Sequence, residues 1–469
     1  MKIVYLLILF ITGLSIINLV STKFSILEKT GLSFPLGFGF VTIMMFLLEL
    51  LGISFDKETL LFLELVLIFI CLGTIWWKND RKIPFNFPES RPIKSFSFFS
   101  LNLSWMLVVG CLAYLLYVTF SKALFWPTIA YDSITGYDFM GRMMAMEGTV
   151  KSSMFSDMNP FYSIRCGYPL FVPGSYGYTY MLGFDTSKIT VVILMMSLVI
   201  AFYGFLKQFT NNLAAAIFTL LFISTPEFIA MGALSLSNVP HSLFVVSGII
   251  SMFLWMERGQ MRYFYLAVML LALNVWTRSD GVNFLVGAGF MVLLNSIRTK
   301  EWKPLIMLVL FTSIPFLAWQ IYLTSTLNIE NSNVFMKTFS MDGDKFSELW
   351  TYISTVLKST QYFGVAPYLI SIGIAANSLY LLKVHYQLLI MILVSFIIYI
   401  VIYYQMDFSS ENFGYSIKSM VLSSYKRGMF SFVGLFYFYI AISPISKRLF
   451  HYMIEHKALK NFTNGSKSA

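Results

Sequence analysis

The chain has 469 residues, of which 57% are hydrophobic and only 12% are charged, and its mean hydropathy is +0.73. Soluble domains keep about a quarter of their residues charged because their surfaces face water, so this composition excludes a soluble globular protein. The net charge of +10 does not indicate nucleic-acid binding, because the basic residues form short clusters between apolar runs and no large basic face.

Apolar runs of about 17–25 residues, the length that crosses a hydrocarbon core about 30 Å thick, recur along the whole sequence. They predict an all-α polytopic membrane protein with about thirteen transmembrane helices, within a range of about 12–14. The predicted spans are residues 3–22, 34–53, 59–77, 98–119, 189–206, 213–231, 240–256, 263–277, 281–297, 304–323, 364–382, 386–404 and 430–446.

Basic residues concentrate in one set of short connections between these spans. This set includes residues 23–29, 78–94 and 298–303 and the tail 447–469. By the positive-inside rule these segments are cytoplasmic, and the N-terminus lies outside.

The three longest loops then fall on the outer side of the membrane. They cover about residues 120–188, 324–363 and 405–429. Long connections of this kind are uncommon unless they carry function, so the chemistry is expected on the outer face of a single membrane domain.

The first outer loop is the richest in polar residues. Asp132 follows the fourth predicted span, and apolar residues between Ile134 and Met146 recur in the pattern of an amphipathic helix lying in the membrane interface. The element Tyr168-Pro169 comes next and predicts a rigid turn, because proline fixes φ and lacks a backbone donor. Asp132 is either a catalytic carboxylate or the N-cap of this helix.

This arrangement resembles the GT-C superfamily of polyprenyl-phosphate-sugar glycosyltransferases, a group that includes protein mannosyltransferases and aminoarabinose transferases. The resemblance begins with an acid after an outward-going helix, an interfacial helix and a Tyr-Pro-Leu-x-x-Pro element. Three further elements are similar in their order and their common side, namely Leu236–Pro240, Trp276–Gly281 and Tyr425–Arg427.

The similarity covers about residues 98–446, which are expected to form a GT-C-like catalytic domain. Residues 1–97 precede it as helices that the resemblance does not explain, and residues 447–469 follow as a cytoplasmic tail. Asn238 stands where members of the superfamily often carry an acid, which leaves a metal or acceptor role at that position in doubt.

The resemblance implies a transferase of the bacterial inner (plasma) membrane with an extracytoplasmic active site. It would move a sugar from a polyprenyl phosphate to a hydroxyl of a glycan, lipid or protein acceptor. Asp132, with Asp138 as the second candidate, would take the proton of that hydroxyl. Arg278, Lys426 and Arg427 would stabilise the charge on the leaving phosphate. The expected substrate pocket adds Tyr131, Tyr168, Asn238, His241 and Asp280.

Each of these residues also has a structural interpretation. Asp138 could serve as a hydrogen-bonded face residue, and Arg278 could form a local ion pair with Asp280 at the tip of a helical hairpin. Lys426 and Arg427 could extend to outer lipid headgroups. His241 is expected to pack or cap at the start of its helix.

Metal ligands do not stand out in the sequence. The four histidines are scattered, and the isolated cysteines suggest neither a disulfide framework nor a metal cluster. Asp342-Gly343-Asp344 matches the letters of an Asp-x-Asp motif, but its setting predicts a turn. No cofactor is indicated, and a divalent metal requirement is left open.

Two other functions remain alternatives. An O-antigen-type polymerase or ligase would also combine many helices with a large outer loop, and it would use a lipid-diphosphate donor. A transporter or flippase would place charges at mid-membrane, whereas charge here concentrates at the ends of spans and in the outer loops.

Overall fold

The computed structural model describes residues 1–78, 98–155, 167–327, 342–381, 383–406 and 416–450, without the side chains of residues 98–102. The described residues form helices joined by turns, and none of them forms a β-strand, as the all-α prediction requires. Cys166, most of the predicted basic connection 78–94 and the tail beyond residue 450 lie outside the described residues.

The α-helices of the described ranges follow one another along the chain with short or long connections between them. In order, they are α1 (Lys2–Val20), α2 (Ile26–Leu50), α3 (Lys57–Lys78), α4 (Phe98–Phe125), α5 (Asp138–Glu147), α6 (Phe171–Met181), α7 (Lys188–Leu206), α8 (Asn212–Ile223), α9 (Pro226–Met231), α10 (Asn238–Arg258), α11 (Met261–Thr277), α12 (Val282–Thr299), α13 (Lys303–Ser325), α14 (Gly343–Lys358), α15 (Thr360–Phe363), α16 (Ala366–Ala376), α17 (Tyr386–Tyr404), α18 (Ile417–Met420) and α19 (Lys426–Ile442).

Within the described ranges, nine helices are long and apolar enough to cross a membrane, namely α1, α2, α3, α4, α7, α10, α12, α13 and α17. A tenth span results if Ile417–Ile442 is combined with the helix Pro444–Phe450, which is bent from it by 64°. The predicted spans 213–231, 263–277 and 364–382 fall on the shorter apolar helices α8, α11 and α16. The chain is therefore a multi-pass membrane protein, and the predicted count of about thirteen spans is not confirmed.

Helix α2 begins eight residues before the predicted span because its first turn is capped. Ser25 Oγ accepts a hydrogen bond from the Glu28 amide, and the Glu28 carboxylate accepts one from the Ser25 amide at 2.7 Å. This reciprocal capping box satisfies two backbone donors that would otherwise lack partners. The polar residues around Lys29 therefore belong to the helix and not to a loop.

Helix α8 ends earlier than predicted, because the chain breaks at Thr225 and resumes as α9 with Pro226 in its first turn. Proline favours such a start, since it lacks the amide that an interior helical position needs. The predicted span 213–231 is therefore wrong at its second end. Glu227 follows this break directly, in the first turn of α9.

Two contacts join segments that are predicted to lie on the same side of the membrane. On the basic side, Arg262 Nη1 donates to Lys23 O at 2.9 Å. On the opposite side, Thr149 Oγ1 donates to Glu49 Oε2 at 2.7 Å. The opposite side also carries α5, a helix within the first long loop that ends at Gly148 with φ +66°. This opposite side, which is predicted to be extracytoplasmic, is called the outer side below.

Helices α2, α7 and α10 form the centre of the bundle. Of the apolar stretch of α10, 94% is buried, against 22% for α3, which lies at the periphery. Close approach of α2 and α7 requires Gly31, because a Cβ there would stand 2.5 Å from the Ala201 amide nitrogen. The N-terminal segment that the family resemblance leaves unexplained thus supplies a central helix.

Candidate functional site

An ion pair joins the loop after α4 to the start of α19 on the outer side. Arg427 Nη1 lies 2.9 Å from Asp132 Oδ2, and the two side chains are 25% and 20% exposed. Asp132 precedes a π-helical turn, Ser133–Tyr137, but its side chain makes no capping hydrogen bond to that turn. The carboxylate is therefore engaged by a cation and not by helix capping, and it remains within reach of solvent.

The turn that carries Asp132 is fixed by hydroxyl groups. Ser133 Oγ donates to Ser235 O at 2.7 Å, and Tyr137 OH donates to Ser237 Oγ at 3.0 Å. All four residues are buried, so these bonds form in a medium where an unpaired polar group would be costly. They attach the turn to the segment that leads into α10.

The same segment, residues 235–238, also contacts α6 and α19. Tyr176 OH donates to Leu236 O at 3.1 Å, and Asn238 Nδ2 donates to Arg427 O at 3.4 Å. The segment therefore fixes both partners of the ion pair relative to each other. Asn238 contributes an amide donor at the place where the resemblance would expect an acid.

Asp138, the second carboxylate candidate, is 5% exposed and fully engaged. It accepts hydrogen bonds from Tyr180 OH and Ser187 Oγ, both at 2.5 Å, and from Arg142 Nε at 3.2 Å. Burial, and then the hydrogen bond to Asp138, raises the pKa of Tyr180, so this phenol keeps its proton. These contacts join α5, α6 and the start of α7, which favours the hydrogen-bonded interpretation of Asp138.

Lys426, the residue before Arg427, holds a second carboxylate. Its Nζ lies 3.4 Å from Glu227 Oε2 and 4.2 Å from the ring centroid of Tyr362. The Glu227 side chain is 5% exposed, and its Oε1 accepts no hydrogen bond from the described residues. Burial raises the pKa of Glu227, whereas Lys426 and Arg427 act in the opposite direction. Glu227 was not among the residues predicted for the site.

Arg278 and Asp280 form the local ion pair expected at the hairpin tip, with two contacts of 2.8 and 2.7 Å. Tyr137 interacts electrostatically with Arg278 of this pair and with Asp132 of the Asp132–Arg427 pair. Burial, reinforced by Tyr168, raises the pKa of Tyr137; Arg278 opposes the shift and Asp132 adds to it. Tyr137 therefore lies within electrostatic range of both ion pairs, and it stays a neutral phenol between them.

The remaining predicted pocket residues lie in two different environments. Tyr168 is 36% exposed and stacks on Tyr137 with ring centroids 5.4 Å apart, and Tyr131 is 64% exposed. His241 is 2% exposed and packs edge-to-face against Phe284 at 5.6 Å. The tyrosines thus offer accessible aromatic surface beside Asp132, while His241 belongs to the core, as its packing interpretation predicts.

An apolar slot of about 400 Å³ runs along α19, and neither Asp132 nor Arg427 is among its lining residues. Met429, Val433 and Phe436 line it at helical spacing, on the face of α19 that carries Lys426 one turn closer to the outer end. Lys358 and residues of α15, α16 and α17 complete the lining. The slot therefore combines an apolar interior with Lys358 in its lining, and Lys426 stands one turn before Met429 on α19.

Metal ligands do not gather in the part of the chain that the structure describes. No group of three or more His, Cys, Asp and Glu side chains there could hold a metal ion. Asp342 caps α14 by accepting hydrogen bonds from the amides of Asp344 and Lys345 at 2.9 and 3.2 Å. The Asp-x-Asp letters thus mark a helix start.

No family model matches the chain, and neither a curated protein nor a solved structure matches it. The resemblance to the GT-C superfamily therefore rests on the sequence elements alone.

Proposed function

We propose that the protein is an integral membrane glycosyltransferase that moves a sugar from a polyprenyl phosphate to an acceptor hydroxyl on the extracytoplasmic face. The observation that carries this proposal is the contact between Asp132 and Arg427, which is partly exposed on the outer side at the start of α19, the helix that also lines the apolar slot. A carboxylate, a guanidinium and an apolar slot are what a base, a phosphate and a prenyl chain require.

The ion pair suggests how donor binding activates the base. A donor phosphate attracts Arg427 and so loosens its hold on Asp132, because a guanidinium binds phosphate and carboxylate through the same donors. Asp132 then accepts the proton of the acceptor hydroxyl. The hydroxyl oxygen bonds to the anomeric carbon, the bond from that carbon to the phosphate oxygen breaks, and its electron pair leaves on the lipid phosphate.

Lys426 and Arg427 stabilise the charge that develops on the leaving phosphate. Preorganised cations act most strongly where water is restricted, and the Lys426 side chain is only 19% exposed. The prenyl chain enters the slot below Lys426, lined by Met429 and Val433. Tyr131 and Tyr168 offer aromatic faces to a sugar ring at the outer end.

The proposal is tested with purified protein, a polyprenyl-phosphate sugar and a panel of acceptors. Asp132→Asn keeps the size of the side chain but cannot take the proton, so transfer is expected to fall by about 100-fold or more. Asp342→Asn is the matched control, since Asn caps a helix as well as Asp does, and it should leave activity unchanged. Full transfer by Asp132→Asn removes this residue from the mechanism.

A transporter or flippase is the second candidate, and one observation favours it. Glu64 lies inside α3, is fully buried, and its Oε1 accepts no hydrogen bond from the described residues. Ionisable residues within a membrane commonly mark transport pathways. Glu64 is nevertheless bonded to Tyr178, whose hydroxyl donates to Oε2 at 2.7 Å, and this contact fits a structural role as well.

A further inference from the structure

A second apolar groove, separate from the slot of α19, runs along the membrane-facing side of α2, α11 and α13. Its volume is about 600 Å³, which lies in the range of about 300–1,000 Å³ found for ligand sites. Tyr265 and Trp276 carry the only polar side-chain atoms among its lining residues. The Trp276 indole already donates to Thr42 Oγ1 at 3.2 Å, so the groove offers almost nothing to a polar ligand.

The groove extends through much of the bundle's thickness. On α11 it is lined from Tyr265, one turn from the basic end, to Trp276, one residue from the outer end of the helix. On α13 it is lined from Met307 to Ala318. A long apolar groove that runs parallel to the helices has the shape that an extended hydrocarbon chain requires.

The two ends of the groove differ in charge. Arg262 and Lys303 stand at the basic end, on the first turns of α11 and α13. Helical spacing puts Arg262 on the same face of α11 as Tyr265 and Met269, and Lys303 one turn before Met307 on α13. Two cations thus stand at the basic ends of helices that line the groove, about one turn from its first lining residues.

The position of the Arg262 side chain is fixed by contacts with neighbouring residues. Its Nη1 donates to Lys23 O at 2.9 Å, and its guanidinium packs over the rings of Phe24 and Tyr263 at 5.6 and 5.0 Å. Its Nε is buried and has no hydrogen-bond partner among the described residues. No ion pair engages Arg262 or Lys303 within the same residues, so their charges are available to an anion.

We infer that this groove binds an anionic glycerophospholipid from the leaflet on the basic side, with an acyl chain along α11 and α13 and the phosphate at Arg262 and Lys303. Basic pockets between transmembrane helices on that side are a known mode of headgroup recognition. The ligand differs from the proposed donor in leaflet, in groove and in the cations that hold its phosphate. The inference therefore stands whether or not the protein transfers sugars.

Native mass spectrometry of the full chain tests the inference, after exchange into micelles that contain equal amounts of phosphatidylglycerol and phosphatidylcholine with identical chains. The wild type should retain one phosphatidylglycerol in preference to phosphatidylcholine. The double variant Arg262→Gln with Lys303→Gln should lower this retention by roughly 10–30-fold, since each juxtamembrane cation contributes a few-fold to anionic lipid binding. Equal retention of the two lipids by the wild type overturns the inference.

A second experiment tests the groove independently, by filling it with a larger side chain. Ala318→Phe places a ring in the groove and should reduce retention of both lipids, whereas Val309→Phe, on the exposed side of α13, should not. Arg298→Gln is the control for charge, because Arg298 is an exposed cation at the same end of another helix. The site is rejected if Ala318→Phe retains lipid at the wild-type level, or if Val309→Phe and Arg298→Gln lose as much lipid as the test variants. Elution volume and helicity establish that each variant is folded.

Discussion

Arg427 lies 295 positions after Asp132 in the chain, and its Nη1 stands 2.9 Å from Asp132 Oδ2. The pair is partly exposed, and ion pairs in that setting contribute only about 0–1 kcal/mol to stability. A large loss of activity on removing either partner would therefore report on chemistry and not on unfolding.

Two substitutions of Arg427 should distinguish how much its charge and its planar shape each contribute to the rate of sugar transfer. Arg427→Ala removes the cation that meets both the Asp132 carboxylate and the proposed lipid phosphate, so transfer should fall by about 100–1,000-fold. Arg427→Lys keeps a point charge without the planar fork, and it should retain an intermediate rate. The measurement is the initial rate of sugar transfer, with the thermal midpoint recorded for each variant.

Lys418→Ala is the control for this series, because Lys418 is an exposed cation on the neighbouring helix α18. It should leave the rate unchanged. Equal rates for Arg427→Ala and the wild type would show that the pair has no role in transfer.

The segment between residues 235 and 238 should act as a positioning element. Tyr137→Phe removes the donor to Ser237 Oγ, and Ser237→Ala removes the acceptor. A buried hydrogen bond contributes about 0.5–1.5 kcal/mol, so a double-mutant cycle on unfolding should give a coupling energy of that size. Tyr114→Phe, an exposed position on α4, is the control and should not couple to Ser237→Ala. A coupling energy near zero contradicts the proposed contact.

Glu227 should make stability depend on pH. Its pKa in the folded protein is raised above its ordinary value of 4.5, chiefly by burial, so the folded state holds the proton more tightly than the unfolded state. The stabilisation from this group is complete below the unfolded pKa and is lost as pH rises through the folded pKa. Glu227→Gln cannot ionise, and its stability relative to the wild type should therefore increase as pH rises above about 4.5.

Thermal unfolding in detergent between about pH 4 and 7 measures this effect. Glu348→Gln is measured in the same series as the control, since it removes an exposed carboxylate on α14. The prediction fails if the difference between Glu227→Gln and the wild type is flat over this range.

The sequence predicted most of the helical layout because hydrophobic length is a local property. Helix α17 spans residues 386–404, as the apolar run predicts, and α7 differs from its prediction by one residue. The wrong boundaries of α2 and α8 have local causes that can be recognised in the sequence. Ser25 and Glu28 have the spacing of a capping box, which extends α2, and Pro226 marks the break after α8.

The candidate site was predictable only in part. Asp132 and Arg427 stood out as a carboxylate and a cation on the same side, but their pairing depends on packing between helices far apart in the chain. Glu227 and Tyr176 were not predicted at the site, because a buried glutamate or hydroxyl is recognised by its partners and not by its neighbours in sequence. Tertiary hydrogen bonds of this kind leave no periodic pattern.

Substitution of Glu64 should distinguish the transferase function from the transporter function. Glu64→Gln keeps an acceptor for the Tyr178 hydroxyl, so a transferase should retain sugar transfer near the wild-type rate. A transporter that relies on a charge in α3 should lose flux across the membrane of proteoliposomes. Tyr178→Phe leaves the buried carboxyl without its donor and should lower the free energy of unfolding by about 1–3 kcal/mol. Complete loss of transfer in a stable Glu64→Gln protein contradicts the structural role.

The slot along α19 should select for the length of the donor's lipid. Val433 lines the slot two turns below Lys426, so Val433→Phe fills the space that a long prenyl chain would occupy. The KM for a full-length polyprenyl donor should rise by about tenfold, the usual effect of losing one well-packed apolar contact of 1–3 kcal/mol. A donor with a single isoprene unit does not reach this depth and should keep its KM. Ile372→Phe, on the exposed face of α16, controls for added bulk in the membrane region. If both donors respond equally to Val433→Phe, the prenyl chain of the donor does not lie in this slot.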